Sequence, residues 1–156
     1  EIIRRVLNFR VIVRLREGNT NFNKGVYRTP CVLEQTSVHG LIYVWFSTTC
    51  PNYAYQAEQV VLEEFGRLGT DLLAEPDLKD FRYAAMLDYY TAFQDSSEAL
   101  CEFIITSACN GDEEMKGLNG FRDSFRSVTR KSLRKVAQKY FGGGYARAVI
   151  RPKILD

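Results

Sequence analysis

An α+β domain is what this sequence predicts: an antiparallel or mixed sheet covered by a layer of helices. Three observations carry that reading. Two early runs, residues 26–33 and 41–47, are rich in branched and aromatic residues, as strands are. After Pro51 the apolar period lengthens from two to between three and four. A short strand-like run, residues 145–150, then follows a triple glycine. The order strand, strand, four or five helices, strand returns the last strand to a sheet begun far earlier.

Residues 1–17 mix five arginines with Ile, Val, Leu and Phe, and their periodicity fits either a basic amphipathic helix or an edge strand. The turn-forming stretch 18–24 reads as a loop, so residues 1–24 form a basic segment ahead of one α+β domain at 25–156. Pro30 lacks a backbone donor, which places the first strand at an edge or a bulge. Residues 34–40 suit a hairpin connection, and apolar residues on both faces of 41–47 predict an interior strand.

The helices announce themselves by stripes and caps. Asn52 caps a helix whose stripe is Ala57, Val61, Phe65 and Leu68, with Gly69 as its stop. The next starts near Asp77 and presents Leu78, Phe81, Ala85 and Tyr89. Asp95 and Glu98 form a capping-box-like pair for a helix carrying Leu100, Phe103, Ile104 and Ala108. Residues 113–126 are more weakly helical. Thr129 caps the clearest helix, with Leu133, Val136, Ala137, Tyr140 and Phe141 on one face.

At 156 residues the chain suits one domain with a sizeable core. Its 46% apolar and 26% charged content excludes a disordered or fibrous class. No apolar run approaches the roughly 18 residues that span a bilayer, and no signal-peptide pattern is present. A soluble chain is expected, one that can still belong to a membrane-bound assembly. None of Cys31, Cys50, Cys101 and Cys109 forms a C-x-x-C pair, so buried reduced thiols are expected rather than a zinc site or a disulfide framework.

The net charge of +2 conceals three blocks: +4 over residues 1–57, −10 over 58–123 and +8 over 124–156. Such blocks either complement one another, face solvent or face partners of opposite sign. In the last block Arg126, Arg130, Lys131, Arg134, Lys135 and Lys139 form a candidate basic partner face. Such a cluster can neutralise phosphates, but no nucleic-acid recognition motif accompanies it, and direct nucleic-acid binding is not expected.

Several passages, taken in order, resemble the pitrilysin-like zinc peptidase family, which includes mitochondrial processing peptidase and the core proteins of respiratory complex III. They are Ser127-Val128-Thr129, the helix residues Leu133-Arg134-Lys135-Val136-Ala137-Gln138-Lys139-Tyr140-Phe141, and Ala148-Val149-Ile150-Arg151-Pro152. Residues 40–68 are similar to the family's strand and long acidic helix, and residues 77–111 fall where it has two more helices. Leu15-Arg16-Glu17 and Gly25-Val26-Tyr27 are similar to its Leu-Arg-Glu segment and Gly-x-x-Tyr turn. The likeness runs from about Leu15 to Pro152, although a family domain is longer, with early strands and a first helix not represented here.

The family's inverted zinc motif sets two histidines on one helical turn beside a glutamate base. This sequence holds one histidine, His39, in the expected hairpin loop, where a surface role is the simpler reading. No catalytic residue, metal ligand or cofactor is therefore expected, and the chain is not expected to be an enzyme. The resemblance implies Arg16 and Tyr27 as candidate substrate-holding residues, spaced more widely than in the family because GNTNFN is inserted between them. Packing and solvation are their alternative roles. By resemblance, the implied function is a non-catalytic core-like subunit of a larger assembly, most directly respiratory complex III on the matrix side of the inner mitochondrial membrane. The alternative is the substrate-holding piece of a split or heteromeric zinc peptidase. Expected partners are other protein subunits, including a chain that supplies the missing half of the domain, with membrane contact only through the complex.

Overall fold

A computed structural model describes residues 1–17, 26–27, 31–35, 40–48, 51–109, 111 and 116–150. The first element is a helix, α1 (Ile2–Ile12), extended by a π-helical turn over Val13–Glu17. Four short strands follow: β1 (Val26–Tyr27), β2 (Cys31–Gln35), β3 (Gly40–Val44) and β4 (Ser47–Thr48). Five helices complete the described chain: α2 (Pro51–Thr70), α3 (Glu75–Asp95), α4 (Ser97–Cys109), α5 (Lys116–Ser127) and α6 (Arg130–Phe141). The architecture is α+β and rich in helix.

Helix α1 settles the helix-or-strand alternative because its apolar residues line one helical side. Ile2, Val6, Leu7 and Val11 are buried, and the π turn carries Leu15 inward as well. These residues enter two apolar clusters among the described residues. The larger joins Ile2, Val6 and Leu7 to Cys31, Leu68, Leu73, Leu78, Ala85 and Ala137. The smaller joins Val11 and Leu15 to Ala57.

The expected hairpin forms: β2 and β3 pair antiparallel from Cys31 opposite Val44 to Gln35 opposite Gly40. The first predicted strand is divided into β1 and β2, and residues 28–30, with Pro30, lie outside the described residues. The second is divided too, since Trp45 and Phe46 separate β3 from β4. Neither piece is interior. Each sheet has two strands, β1 with β4 and β2 with β3, so every described strand lies at an edge. Leu41 and Trp45 are correspondingly exposed.

Side chains of α1 stand in for a neighbouring strand at Cys31. Arg4 Nη1 donates to the Cys31 carbonyl at 3.2 Å, and the Cys31 amide donates to Asn8 Oδ1 at 3.0 Å. Both backbone groups are thereby satisfied away from water.

Helix starts differ from the sequence reading in detail. Helix α2 begins at Pro51, so Asn52 lies inside it rather than at its cap. Helix α3 starts at Glu75 with Pro76 in its first turn, where a missing amide costs nothing. Helix α4 is capped by Ser96, whose Oγ accepts from the Ala99 amide at 3.2 Å, and not by Asp95, which ends α3. The prediction at Thr129 holds. Its Oγ1 accepts from the Ser132 amide at 3.0 Å, while Ser132 Oγ accepts from the Thr129 amide at 2.9 Å.

Packing follows the predicted stripes in part. Ala57, Leu68, Leu78, Ala85 and Ala137 are buried as expected, but Ala108, Val136 and Tyr140 are exposed. Helices α2 and α6 are joined by Phe65 and Phe141, whose rings meet edge-on at 4.9 Å, and by Gln138 Nε2 donating to the Gly69 carbonyl at 2.8 Å. Helix α3 holds α5 through Tyr89 stacked on Phe121 at 3.7 Å. Arg82 binds the junction before α6 by donating from Nε to the Val128 carbonyl at 2.9 Å.

Two further expectations are corrected. Residues 145–150 form no strand and are exposed. A strand needs a hydrogen-bonding neighbour, and this segment is instead tied to a helix: Tyr145 Oη lies 3.3 Å from Glu58 Oε1, and Arg147 Nε lies 3.4 Å from Glu58 Oε2. Of the cysteines, Cys31 is buried, but Cys101 and Cys109 are exposed free thiols on α4, and Cys50 lies outside the described residues.

Burial pushes the Cys31 thiol from 9.0 up to about 11. Because its folded value is the higher, the associated stability is lost as pH rises from about 9 towards about 11. Peptide mapping after brief maleimide treatment at neutral pH should therefore find Cys101 and Cys109 labelled and Cys31 untouched until denaturant is added. Thr129→Ala should lower unfolding free energy by about 1 kcal/mol in urea titrations, and Thr129→Ser by much less, since serine keeps the cap.

Candidate functional site

Arg16 lies in the π turn that continues α1, and Tyr27 lies in β1 opposite Ser47. Their side chains, like His39, lie outside the described residues, so the structure fixes only their places along the backbone. Among the described residues no group of three or more His, Cys, Asp or Glu side chains converges as metal ligands do.

The described residues beside that turn form a charged cluster that sequence reasoning did not find. Glu64 is buried at the centre of the α2 stripe, its side chain 2% exposed. Arg14 Nη1 donates to Glu64 Oε1 at 2.9 Å, and Arg67 Nη1 approaches the same oxygen at 3.3 Å. Arg10 Nη1 lies 3.9 Å from Glu64 Oε2 and is itself buried without a hydrogen bond. The second nitrogen of Arg14 donates to Glu63 at 2.8 Å. Arg14 is held above the usual guanidinium value: burial opposes the shift, but the hydrogen bonds to Glu63 and Glu64 outweigh it.

A signal for this cluster was present. Glu64 stands seven residues after Ala57 and four before Leu68, inside an otherwise apolar stripe, and Arg10 and Arg14 are one helical turn apart. What the sequence lacked was any sign that these segments meet.

The predicted basic face assembles in part. Lys131, Lys135 and Lys139 recur every four residues along α6 and are exposed, as is Arg126 at the end of α5. Arg134 is half-buried. Arg130 Nε is neutralised by Glu75 Oε2 at 3.1 Å, and Glu75 also lies 3.6 Å from Arg82 Nη1. Helix α6 contains no acidic residue. Lys139 Nζ sits 4.9 Å from the centre of the Tyr140 ring, within cation–π range.

With this geometry in view, comparison with known proteins gives a fold likeness. A protease from Helicobacter pylori, known from its crystal structure, superimposes with a TM-score of 0.61 at 14% sequence identity. The match covers 86% of this chain and 34% of that one, so the chain spans about a third of the protease's length. At this identity the likeness establishes a shared fold. No protein-family model matches the sequence, and no curated protein matches it.

The cluster at Glu64 makes a direct prediction. Glu64→Gln leaves three guanidinium groups around a neutral amide and should cost about 3–5 kcal/mol in unfolding free energy. Glu63→Gln, at an exposed position, should cost less than about 1 kcal/mol in the same denaturant titration.

Proposed function

We propose that the chain is part of a pitrilysin-like peptidase-fold domain with a non-catalytic, core-protein-like structural role in a larger assembly. The observation that carries the reading is the fold likeness across 86% of this chain to 34% of a protease. The sequence adds a chemical argument. An inverted zinc motif needs two imidazoles on one helical turn, and the sequence contains a single histidine. The passages around Thr129 and residues 148–152 resemble that family, and for its non-peptidase members the assembly implied is respiratory complex III at the matrix face of the inner mitochondrial membrane. Its partners are then other subunits, one of which supplies the rest of the domain.

A second reading, the substrate-holding piece of a split zinc peptidase, is favoured by the place of Arg16. It lies in a π-helical turn, and such turns recur at functional sites. In that reading a partner carries the metal and the catalytic base, while Arg16 and Tyr27 hold peptide near it.

Affinity purification of the tagged chain from the organism that encodes it separates the two. Mass spectrometry should find respiratory subunits in fixed proportion, and the purified chain alone should contain no zinc and cleave no presequence peptide. If instead a zinc-bearing partner co-purifies and the pair cleaves peptide, with at least tenfold loss in kcat/KM for Arg16→Ala, the structural reading fails and the second stands.

A further inference from the structure

The outer side of α6 and the segment beyond it combine two surface chemistries. Lys131, Lys135 and Lys139 are exposed on the helix and form no ion pair with the described acidic residues. Beside them Val136 and Tyr140 are exposed, Tyr140 by 63%. The chain then continues through Tyr145, Val149 and Ile150, of which Val149 is 52% and Ile150 99% exposed. The ties of Tyr145 and Arg147 to Glu58 hold this segment on α2, which packs along α6. Because Phe65 meets Phe141 and Glu58 stands seven residues earlier on α2, these ties place Tyr145 and Arg147 past the C-terminal end of α6, where the lysine row stops.

We propose that this face is a peripheral binding surface for an anionic lipid bilayer. Lysines near a negatively charged leaflet gain Coulomb energy, and their methylene stems lie along the apolar boundary while the ammonium groups stay hydrated. Tyrosine rings fit the headgroup level, with an apolar body and a polar tip. Exposed Val149 and Ile150 gain by leaving water for the acyl region. A nucleic-acid backbone rewards the lysines but gives nothing for two exposed aliphatic side chains. A protein partner is the weaker fit, because protein interfaces are depleted in lysine. The proposal goes beyond the structural role above, in which the membrane is met only through other subunits, and either can fail without the other.

The test uses the purified chain and sedimenting vesicles of phosphatidylcholine, alone or with roughly a third phosphatidylglycerol. Binding should occur only to the mixed vesicles and weaken at least tenfold in high salt. The triple variant K131Q/K135Q/K139Q should bind about 100-fold more weakly. The double variant V149S/I150S should lose at least tenfold on vesicles while binding heparin, a lipid-free polyanion, as the parent does. All five positions are exposed, and unchanged circular dichroism would show that the variants fold. No binding to the mixed vesicles, or equal binding to both kinds, overturns the proposal. So does a V149S/I150S protein that binds vesicles as tightly as its parent, an outcome that assigns the lysines to an acidic protein or a nucleic acid.

Discussion

A carboxylate buried among arginines sets the terms for the rest of this molecule. Taking a charge out of water costs several kcal/mol even after relaxation, and only well-placed partners offset it. Glu64 meets that condition because α1 lies against α2 at one axial position, where Arg10 and Arg14 both reach it and Arg67 closes the third side. Apolar packing alone tolerates sliding by a turn. An ion cluster of this kind does not, since a slipped helix leaves charges unpaired in the interior. Once α1 is fixed, other elements follow from it. The hairpin is held through Cys31, and α3 is held through the Arg5–Asp88 ion pair and the edge-on contact of Phe9 with Phe81. Helix α6 then rests on α2 through Phe141 and Gln138.

How much of this was readable in advance depended on the range of the interaction. The Thr129 cap and the branched and aromatic runs that make the β2–β3 hairpin are local, and the residues involved lie within a few positions of one another. Stripes on α2 and α3 were legible for the same reason, because periodicity alone reveals a buried side. The fate of Glu64 was not, as its partners Arg10 and Arg14 come about fifty positions earlier and only folding brings them near. Residues 145–150 failed differently. Their composition favours a strand, but strand formation is a property of a pair, and their partner in the structure is a helical glutamate. The two residues singled out by resemblance, Arg16 and Tyr27, received backbone addresses and no side-chain geometry.

Charge and apolar surface are sorted by location rather than mixed. Arg4 and Arg5 of α1 and Arg14 of the π turn are spent within the chain, on Glu1, Asp88, Glu63 and Glu64. Arg82 and Arg130 are spent on Glu75, which ties the start of α3 to the start of α6. The lysines of α6 form no ion pair among the described residues. Lysine suits that place, because its flexible, strongly hydrated head contributes little to a rigid interior network, whereas the planar guanidinium can bridge two carboxylates as Arg14 does. Sequence totals of +4, −10 and +8 thus conceal a division between cations that build the fold and cations left at its surface.

The contacts around Cys31 give the hairpin a direction of growth. Asn8 and Arg4 occupy the amide and carbonyl that a neighbouring chain would need at the first residue of β2. On the far side, β3 has no second neighbour among the described residues. An incoming polypeptide can therefore enlarge this sheet beside β3 without displacing any described strand, whereas entry beside β2 must first pry α1 away from the hairpin.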